Sequence, residues 1–277
     1  MNRPISVILI FTCLTILSLG QDNIVKPEVL LDKADLENGE HHSKHLETFS
    51  KYTKGFNLDV LKGIDAVQQT APDGGGYYTG IKSDPPEAPI GYHLSLLKTE
   101  LVNLERKTSY CSGASFSAFI EGLNNKYSES GIKITPEREE YLRMQEADGA
   151  RREDKVEFWG NWNADGYGNN FALIQYFNAG EIIEPMLAEP GDFMNISWKN
   201  GGGHSVVFLG WYLTDSGEKK LVYWSSQKGT NGLGDDVVSI DRIKEVMVIR
   251  VTNPEAILNE GPNKDINYKI SGYGINW

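Results

Sequence analysis

One cysteine in this chain lies where a thiol is expected to be reactive. Cys111 precedes four apolar residues spaced three or four positions apart, Phe116, Phe119, Ile120 and Leu123. That spacing predicts one face of a helix running to about Lys126, with Cys111 in its first turn. Unpaired backbone N–H groups and the positive end of the helix dipole meet there. We therefore expect this thiol to ionise more easily than usual and to act as a nucleophile.

A nucleophilic thiol needs a base, and His204 is the imidazole in a suitable context. It follows three consecutive glycines and opens Ser205 to Tyr212, which is rich in β-branched and aromatic residues. Such a composition predicts a strand, and the glycines would let the ring approach a helix end closely. In a Cys–His pair the sulfur attacks a carbonyl carbon, and the imidazole moves the thiol proton to the leaving amine. The alternative for His204 is a surface histidine in a glycine-rich turn.

The elements that would position these two residues predict an α+β fold. The first half is helical in pattern, with an amphipathic helix over residues 56–67 and a second helix from Thr135-Pro136 to about Ala147. Strand-like segments follow from Pro190, joined in part by a hairpin turn at residues 215–218. These segments are Asp192 to Trp198, Ser205 to Tyr212, Lys220 to Ser225 and Val246 to Val251. Helices followed by a meandering antiparallel sheet of about four to six strands define this class.

The ends of the chain predict secretion and a division into four parts. Residues 1–20 begin with a basic group, continue in an uncharged apolar run and end in small residues, as a signal peptide does. Because Cys13 lies in that run, Cys111 would be the only cysteine of the secreted protein. We then expect a helical N-terminal region and loop at 21–89, a catalytic domain at 90–252 and a surface extension at 253–277. Because no second apolar run follows, we expect no membrane anchor after cleavage.

The net charge argues against nucleic acid as a partner, and the candidate metal-binding residues form no complete site. A net charge of −11 argues against nucleic acid as a partner. His41 and His45 are one helical turn apart and could hold a metal, but no third ligand is evident. A solvated polar face beside Glu40 and Glu47 explains them as well. A calcium-like turn starting at Asn161 lacks the expected acidic residue at its twelfth position. We therefore expect no metal or other cofactor, and a monomer.

Four pieces in order resemble the papain-like superfamily, in particular the NlpC-like and CHAP-type cysteine amidases of bacterial cell-wall metabolism. They are the helix start at Cys111-Ser112-Gly113, the Gly191-Asp192 strand, the Gly203-His204 strand, and the polar end of the next strand at 225–227. The resemblance covers roughly residues 90–252. It implies a papain-like fold, in which the nucleophile begins a helix packed on an antiparallel sheet. It also implies hydrolysis of an amide in a peptidoglycan stem peptide or a related peptide.

The resemblance further implies a third residue that orients the imidazole, within Ser225-Ser226-Gln227. Gln227 could do so with its side-chain oxygen and Ser226 with its hydroxyl, and the strand register that would decide between them is open. The backbone N–H of Cys111 is expected to bind the oxyanion, with Tyr78 as a further candidate donor. Glu105 lies where papain has a glutamine donor, and a carboxylate there would repel an oxyanion.

Two other functions use the same residues. A catalytically inactive papain-like module would hold a cell-wall fragment or a protein partner. This function is favoured by the fact that the sequence does not single out one residue to orient the imidazole. An acyl- or amide-transfer enzyme would use Cys111 and His204 as the hydrolase does.

Overall fold

The structure is a computed structural model that describes residues 28–36, 41–71, 74–78, 89–102, 108–144, 159, 170, 173–174, 176–259, 261 and 273–275. The predicted signal peptide, nearly all of the calcium-like turn, and Glu105 lie outside these residues. In the described part of the chain no helix is long and apolar enough to span a bilayer.

The described residues form helices and antiparallel strands, which confirms the α+β class. The helices are α1 (His45–Phe49), α2 (Phe56–Thr70), α3 (Cys111–Tyr127), α4 (Pro136–Leu142) and α5 (Ala256–Asn259). The strands are β1 (Leu94–Leu96), β2 (Thr99–Val102), β3 (Gly180–Ile183), β4 (Phe193–Trp198), β5 (Gly203–Leu213), β6 (Lys219–Gln227), β7 (Gly232–Ser239) and β8 (Ile243–Val251).

The main sheet has six antiparallel strands in the order β3-β8-β4-β5-β6-β7, and β1 and β2 form a separate hairpin. One face of the main sheet packs under α2 and α3, and the other face carries a smaller apolar cluster that includes Phe208 and Tyr223. Because side chains alternate along a strand, Val207 and Trp224 face the helices while their neighbours face away. This alternation decides which residues of β5 and β6 meet α3.

Helix α2 packs against α3 closely enough that only glycine fits at the crossing. A Cβ on Gly63 would lie 2.4 Å from the carbonyl oxygen of Ala118. The buried apolar residues of α2 belong to the same cluster as those of α3, so the N-terminal region shares the core of the predicted catalytic domain. A hydrogen bond also links α2 to the start of β4: the side-chain amide of Asn57 donates to Asp192 Oδ1 at 2.8 Å. Arg250 of β8 pairs with the same buried carboxylate.

Three predicted segments differ from the structure. The helix that starts after Thr135, expected to run to about Ala147, ends at Leu142, and the described residues 143 and 144 are not helical. The first described residues of the N-terminal region expected to be helical, 28–36, contain only a short 3-10 turn, Lys33–Asp35. The segment predicted to wrap the surface after residue 252 begins with α5, whose Ala256, Ile257 and Leu258 are buried in the main cluster. Three adjacent apolar residues are too few to show a helical period, so the sequence did not predict this helix. Their burial nevertheless contributes to the core.

Candidate functional site

Helix α3 begins at Cys111, and a loop carbonyl fixes the position of its first turn. Tyr110 N–H donates to the carbonyl oxygen of Pro89 at 3.3 Å. A Cβ on Gly113 would lie 1.7 Å from that same oxygen, so the loop can cross the helix start only because Gly113 has no side chain. The small residue two positions after the cysteine is therefore required by packing.

Three backbone N–H groups surround the sulfur of Cys111. They belong to Cys111 itself, to Ser112 and to Ser205 of β5. Burial nevertheless raises the pKa of the thiol above its ordinary value, and the hydrogen bonds from these groups only partly offset it. The expectation that this thiol ionises easily is thus wrong: the helix start supplies donors, but the sulfur has lost more hydration than they restore. Cys111 as a residue is still partly exposed.

Serine hydroxyls tie the start of α3 to β5 and β6. Ser115, one turn after Cys111, has its Oγ 2.7 Å from Oγ of Ser205. Ser109, two residues before Cys111, has its Oγ 2.7 Å from Oγ of Ser226. Ser225 Oγ donates to the carbonyl oxygen of Ser205 at 2.7 Å. These buried contacts hold the cysteine-bearing turn against the strand that carries His204.

His204 lies between two aromatic rings. Tyr223 of β6 meets it edge to face, with ring centroids 5.4 Å apart, and Trp198 of β4 lies 6.3 Å away. Burial lowers the pKa of His204 to about 4, although Gln227 acts in the opposite direction. The imidazole is therefore neutral at neutral pH, as a general base must be before it accepts a proton.

Two residues of the sheet are linked to both Cys111 and His204, one through the chain and a hydrogen bond and one through a ring contact and an electrostatic effect. One is Ser205, whose N–H reaches the sulfur and which follows His204 in the chain. The other is Tyr223, which contacts the His204 ring and whose pKa is raised in part by the charge of Cys111. Alternation turns the Ser205 side chain toward α3 and that of His204 toward Tyr223, on the face of the sheet away from the helices.

The two candidates for the third residue have different surroundings. Gln227 lies beside His204, and its amide favours the protonated ring. Among the described residues, however, neither Gln227 Oε1 nor His204 Nε2 has a well-aligned hydrogen-bond partner, so this contact is a loose one. Gln227 Nε2 donates to Gly234 O at 3.0 Å, which holds the amide in place. Ser226 instead contacts Ser109, and Ser225 contacts the backbone of Ser205.

A second glycine-rich segment, a loop that contains Gly74, Gly75 and Gly76 and is followed by Tyr77 and Tyr78, borders this region. Its described part, residues 74–78, runs between Ser109 and the start of β7. Tyr78 N–H donates to Ser109 O at 3.1 Å, and Leu233 N–H donates to Gly74 O. The Tyr78 side chain is 46% exposed, which places the candidate oxyanion donor in solvent near the start of α3.

Sequence reasoning missed the residues that frame the site. Tyr223 and Trp198 are strand residues whose composition signals only a sheet, and Ser109, Ser115 and Ser205 resemble ordinary small residues. The one available signal was the high density of serines in 109–117 and 225–226, on segments otherwise apolar. Buried hydroxyls need partners, so such a density predicts mutual contacts.

The histidines at 41–45 do not form a solvated face. His45 is fully buried, and its Nδ1 and Nε2 lie 2.8 Å from Asp65 Oδ1 and 2.9 Å from Asp235 Oδ1. His42 Nε2 lies 3.1 Å from Asp235 Oδ2. Burial lowers the pKa of His45, but Asp235 and Asp65 together raise it to about 9. His45 thus pairs with His42 and not with His41, because both the His42 and the His45 rings contact Asp235. Asp235 is distant in sequence, so the spacing of the histidines could not show this.

Comparison with protein-family models found no match for this chain. Comparison with curated proteins and with solved structures likewise found none.

Proposed function

We propose that this protein is a secreted cysteine hydrolase of the papain-like type that cleaves an amide bond by Cys111–His204 catalysis. The observation that carries the proposal is that Ser205, the residue after His204, meets the start of α3: its N–H reaches the Cys111 sulfur, and its hydroxyl lies 2.7 Å from that of Ser115. The resemblance to NlpC-like and CHAP-type amidases supports a peptidoglycan stem peptide or a related peptide as the substrate. It also supports the monomeric, cofactor-free catalytic centre.

In this proposal the resting site holds a neutral thiol and a neutral imidazole. As the sulfur attacks the carbonyl carbon, its proton passes to His204, and the C–S bond forms. His204 then protonates the amine as the C–N bond breaks, and water cleaves the thioester with the same residue as base. The backbone N–H of Cys111 would stabilise the tetrahedral oxyanion. Gln227 would hold the charged ring, and Ser226 would act only through Ser109.

The test is hydrolysis of stem peptides and of intact peptidoglycan by wild type, Cys111→Ala and His204→Ala, with released amines counted. Both substitutions should abolish the reaction, while circular dichroism shows an intact fold. Ser128→Ala, at the other end of the same helix, serves as a matched control and should retain full activity. Full activity of Cys111→Ala would end the proposal.

One observation favours a second candidate, an inactive module that binds cell-wall fragments or a protein. Burial raises the pKa of Cys111 and lowers that of His204, so no thiolate–imidazolium pair forms at rest. Such a module would bind stem peptides with equal affinity in wild type and Cys111→Ala and would release no amine from them.

A further inference from the structure

A compact cluster of metal-binding side chains lies apart from Cys111. One ring nitrogen each of His42 and His45 and one carboxylate oxygen of Asp235 all lie within 4.8 Å of one another. The side chains of His45 and Asp235 are 0% and 2% exposed, and that of His42 is 8% exposed. We propose that His42, His45 and Asp235 bind a divalent transition-metal cation of the Zn²⁺ class.

The charges of the cluster call for a cation. Asp65 and Asp235 bring two negative charges to the buried ring of His45. A divalent ion bound at the cluster would offset both charges, and buried charges that are not balanced are costly.

Asp65 has the role of an outer carboxylate. Its Oδ1 accepts from His45 Nδ1, and its two oxygens also accept backbone N–H groups of His45 and Leu46 at 2.8 and 3.0 Å. With Nδ1 held by Asp65, the Nε2 atom of the ring faces Asp235, and Nε2 is the nitrogen that would bind the ion once it gives up its proton. Metal-ligating histidines are usually oriented in this way by a carboxylate on the other ring nitrogen.

The donor set and its spacing define the class of ion. Two imidazoles and one carboxylate suit zinc, cobalt or nickel, whereas calcium and magnesium prefer oxygen ligands alone. His45 Nε2 lies 2.9 Å from Asp235 Oδ1 and His42 Nε2 lies 3.1 Å from Asp235 Oδ2, so each nitrogen would move apart from its oxygen by a few tenths of an ångström to reach the roughly 3.3 Å between neighbouring ligands of a tetrahedral zinc ion. The rings of His42 and His45 are stacked 4.3 Å apart, so the more exposed His42 ring must turn for its Nε2 to reach the ion.

The ion would join distant parts of the chain. His42 and His45 precede α2, whereas Asp235 lies in the edge strand β7, about 190 positions later. The neighbouring Gly234 accepts the Gln227 amide, so β7 connects this cluster to the proposed catalytic centre. The ion would thus fasten the N-terminal segment to the strand that supports Gln227.

The experiment uses the full protein, stripped with a chelator, and measures binding of Zn²⁺ by calorimetry and of Co²⁺ by its visible absorption. One ion per chain should bind, with tetrahedral cobalt bands, and Zn²⁺ should raise the melting temperature. His42→Ala, at the exposed edge of the cluster, should lose binding without unfolding. Asp65→Asn should weaken it about 10- to 100-fold.

His93→Ala is the matched control, since His93 lies outside the cluster with a half-exposed side chain, and it should bind as wild type does. Cys111→Ala should also bind unchanged. The proposal is overturned if wild type binds no ion, if His42→Ala retains wild-type affinity, or if cobalt shows a thiolate charge-transfer band that Cys111→Ala removes. None of these results depends on hydrolytic activity.

Discussion

The hydroxyl of Ser115, one helical turn beyond Cys111, lies 2.7 Å from the hydroxyl of Ser205, the residue after His204. Both side chains are buried, and this contact joins α3 to β5 across ninety positions of sequence. The relationship between the proposed nucleophile and base therefore depends on a pair of neutral hydroxyls that take no part in the proposed chemistry.

Removing one of these hydroxyls should cost more than removing a hydroxyl that bonds only within α3. Ser115→Ala leaves Ser205 Oγ without its partner on α3 and should lower the free energy of unfolding by about 1–3 kcal/mol. Ser117, whose Oγ donates to Ala114 O, is the matched control, and Ser117→Ala should cost less. Urea unfolding measures both. The double variant Ser115→Ala/Ser205→Ala should be less destabilised than the sum of its single variants, and strict additivity would contradict the coupling.

The identity of the residue that orients His204 can be tested through the pKa of that ring. Gln227→Glu places a carboxylate beside the buried imidazole and should raise its pKa well above about 4. Ser226→Ala is the control, since Ser226 contacts Ser109, and it should leave the pKa unchanged. NMR titration of the His204 ring proton measures both. A larger shift in Ser226→Ala than in Gln227→Glu would reverse the assignment.

Local patterns predicted the elements whose signals lie within a few residues. Thr135 caps α4, accepting Arg138 N–H at 3.2 Å, and α3 begins at Cys111 as its apolar spacing predicts. The hairpin at 215–218 closes between β5 and β6. In each case the information needed for the prediction was contained in one turn or one helix face.

Long-range contacts explain what was missed. Strand β7 begins Gly-Leu-Gly-Asp-Asp, a composition that disfavours a strand. It pairs along the whole of β6, and its Asp235 is buried because His42 and His45 approach from the other end of the chain. The pKa of Cys111 was predicted in the wrong direction for a similar reason, since burial by distant segments outweighs the local effect of the helix start.

Acid should destabilise the protein partly through His204. Its pKa is about 4 in the fold and about 6.5 in the unfolded chain, so below pH 6.5 the unfolded state binds a proton that the folded state does not. Stability should therefore fall as the pH drops from 6.5 toward 4, with an upper bound of roughly 3 kcal/mol from this ring. Urea unfolding at several pH values should give a shallower decline for His204→Gln, and His93→Gln should follow wild type. Parallel curves for all three proteins would contradict the assignment.

Alkylation of Cys111 should be slow at neutral pH and accelerate at alkaline pH. The thiolate is the reactive form, and burial raises the pKa of this thiol above its ordinary value. The rate of reaction with iodoacetamide should still be rising at pH 9, and the urea-unfolded chain provides the unperturbed reference. Because His204 is neutral, His204→Ala should leave the rate at pH 7 nearly unchanged. An inflection well below pH 8.5 that disappears in His204→Ala would instead show a preformed ion pair.

Gly113→Ala should disrupt the start of α3. A Cβ there would lie 1.7 Å from Pro89 O, so either the loop or the first turn of the helix must move. Alanine ordinarily stabilises a helix interior, but the overlap should reverse the sign and cost about 1–3 kcal/mol or more. Gly229→Ala is the control, because within the described part of the chain its Cβ would come within 4 Å only of an Asp236 side-chain oxygen, at 4.0 Å. Thermal unfolding compares the two variants, and a Gly113→Ala protein that melts above wild type would show that the loop does not hold the cysteine-bearing turn.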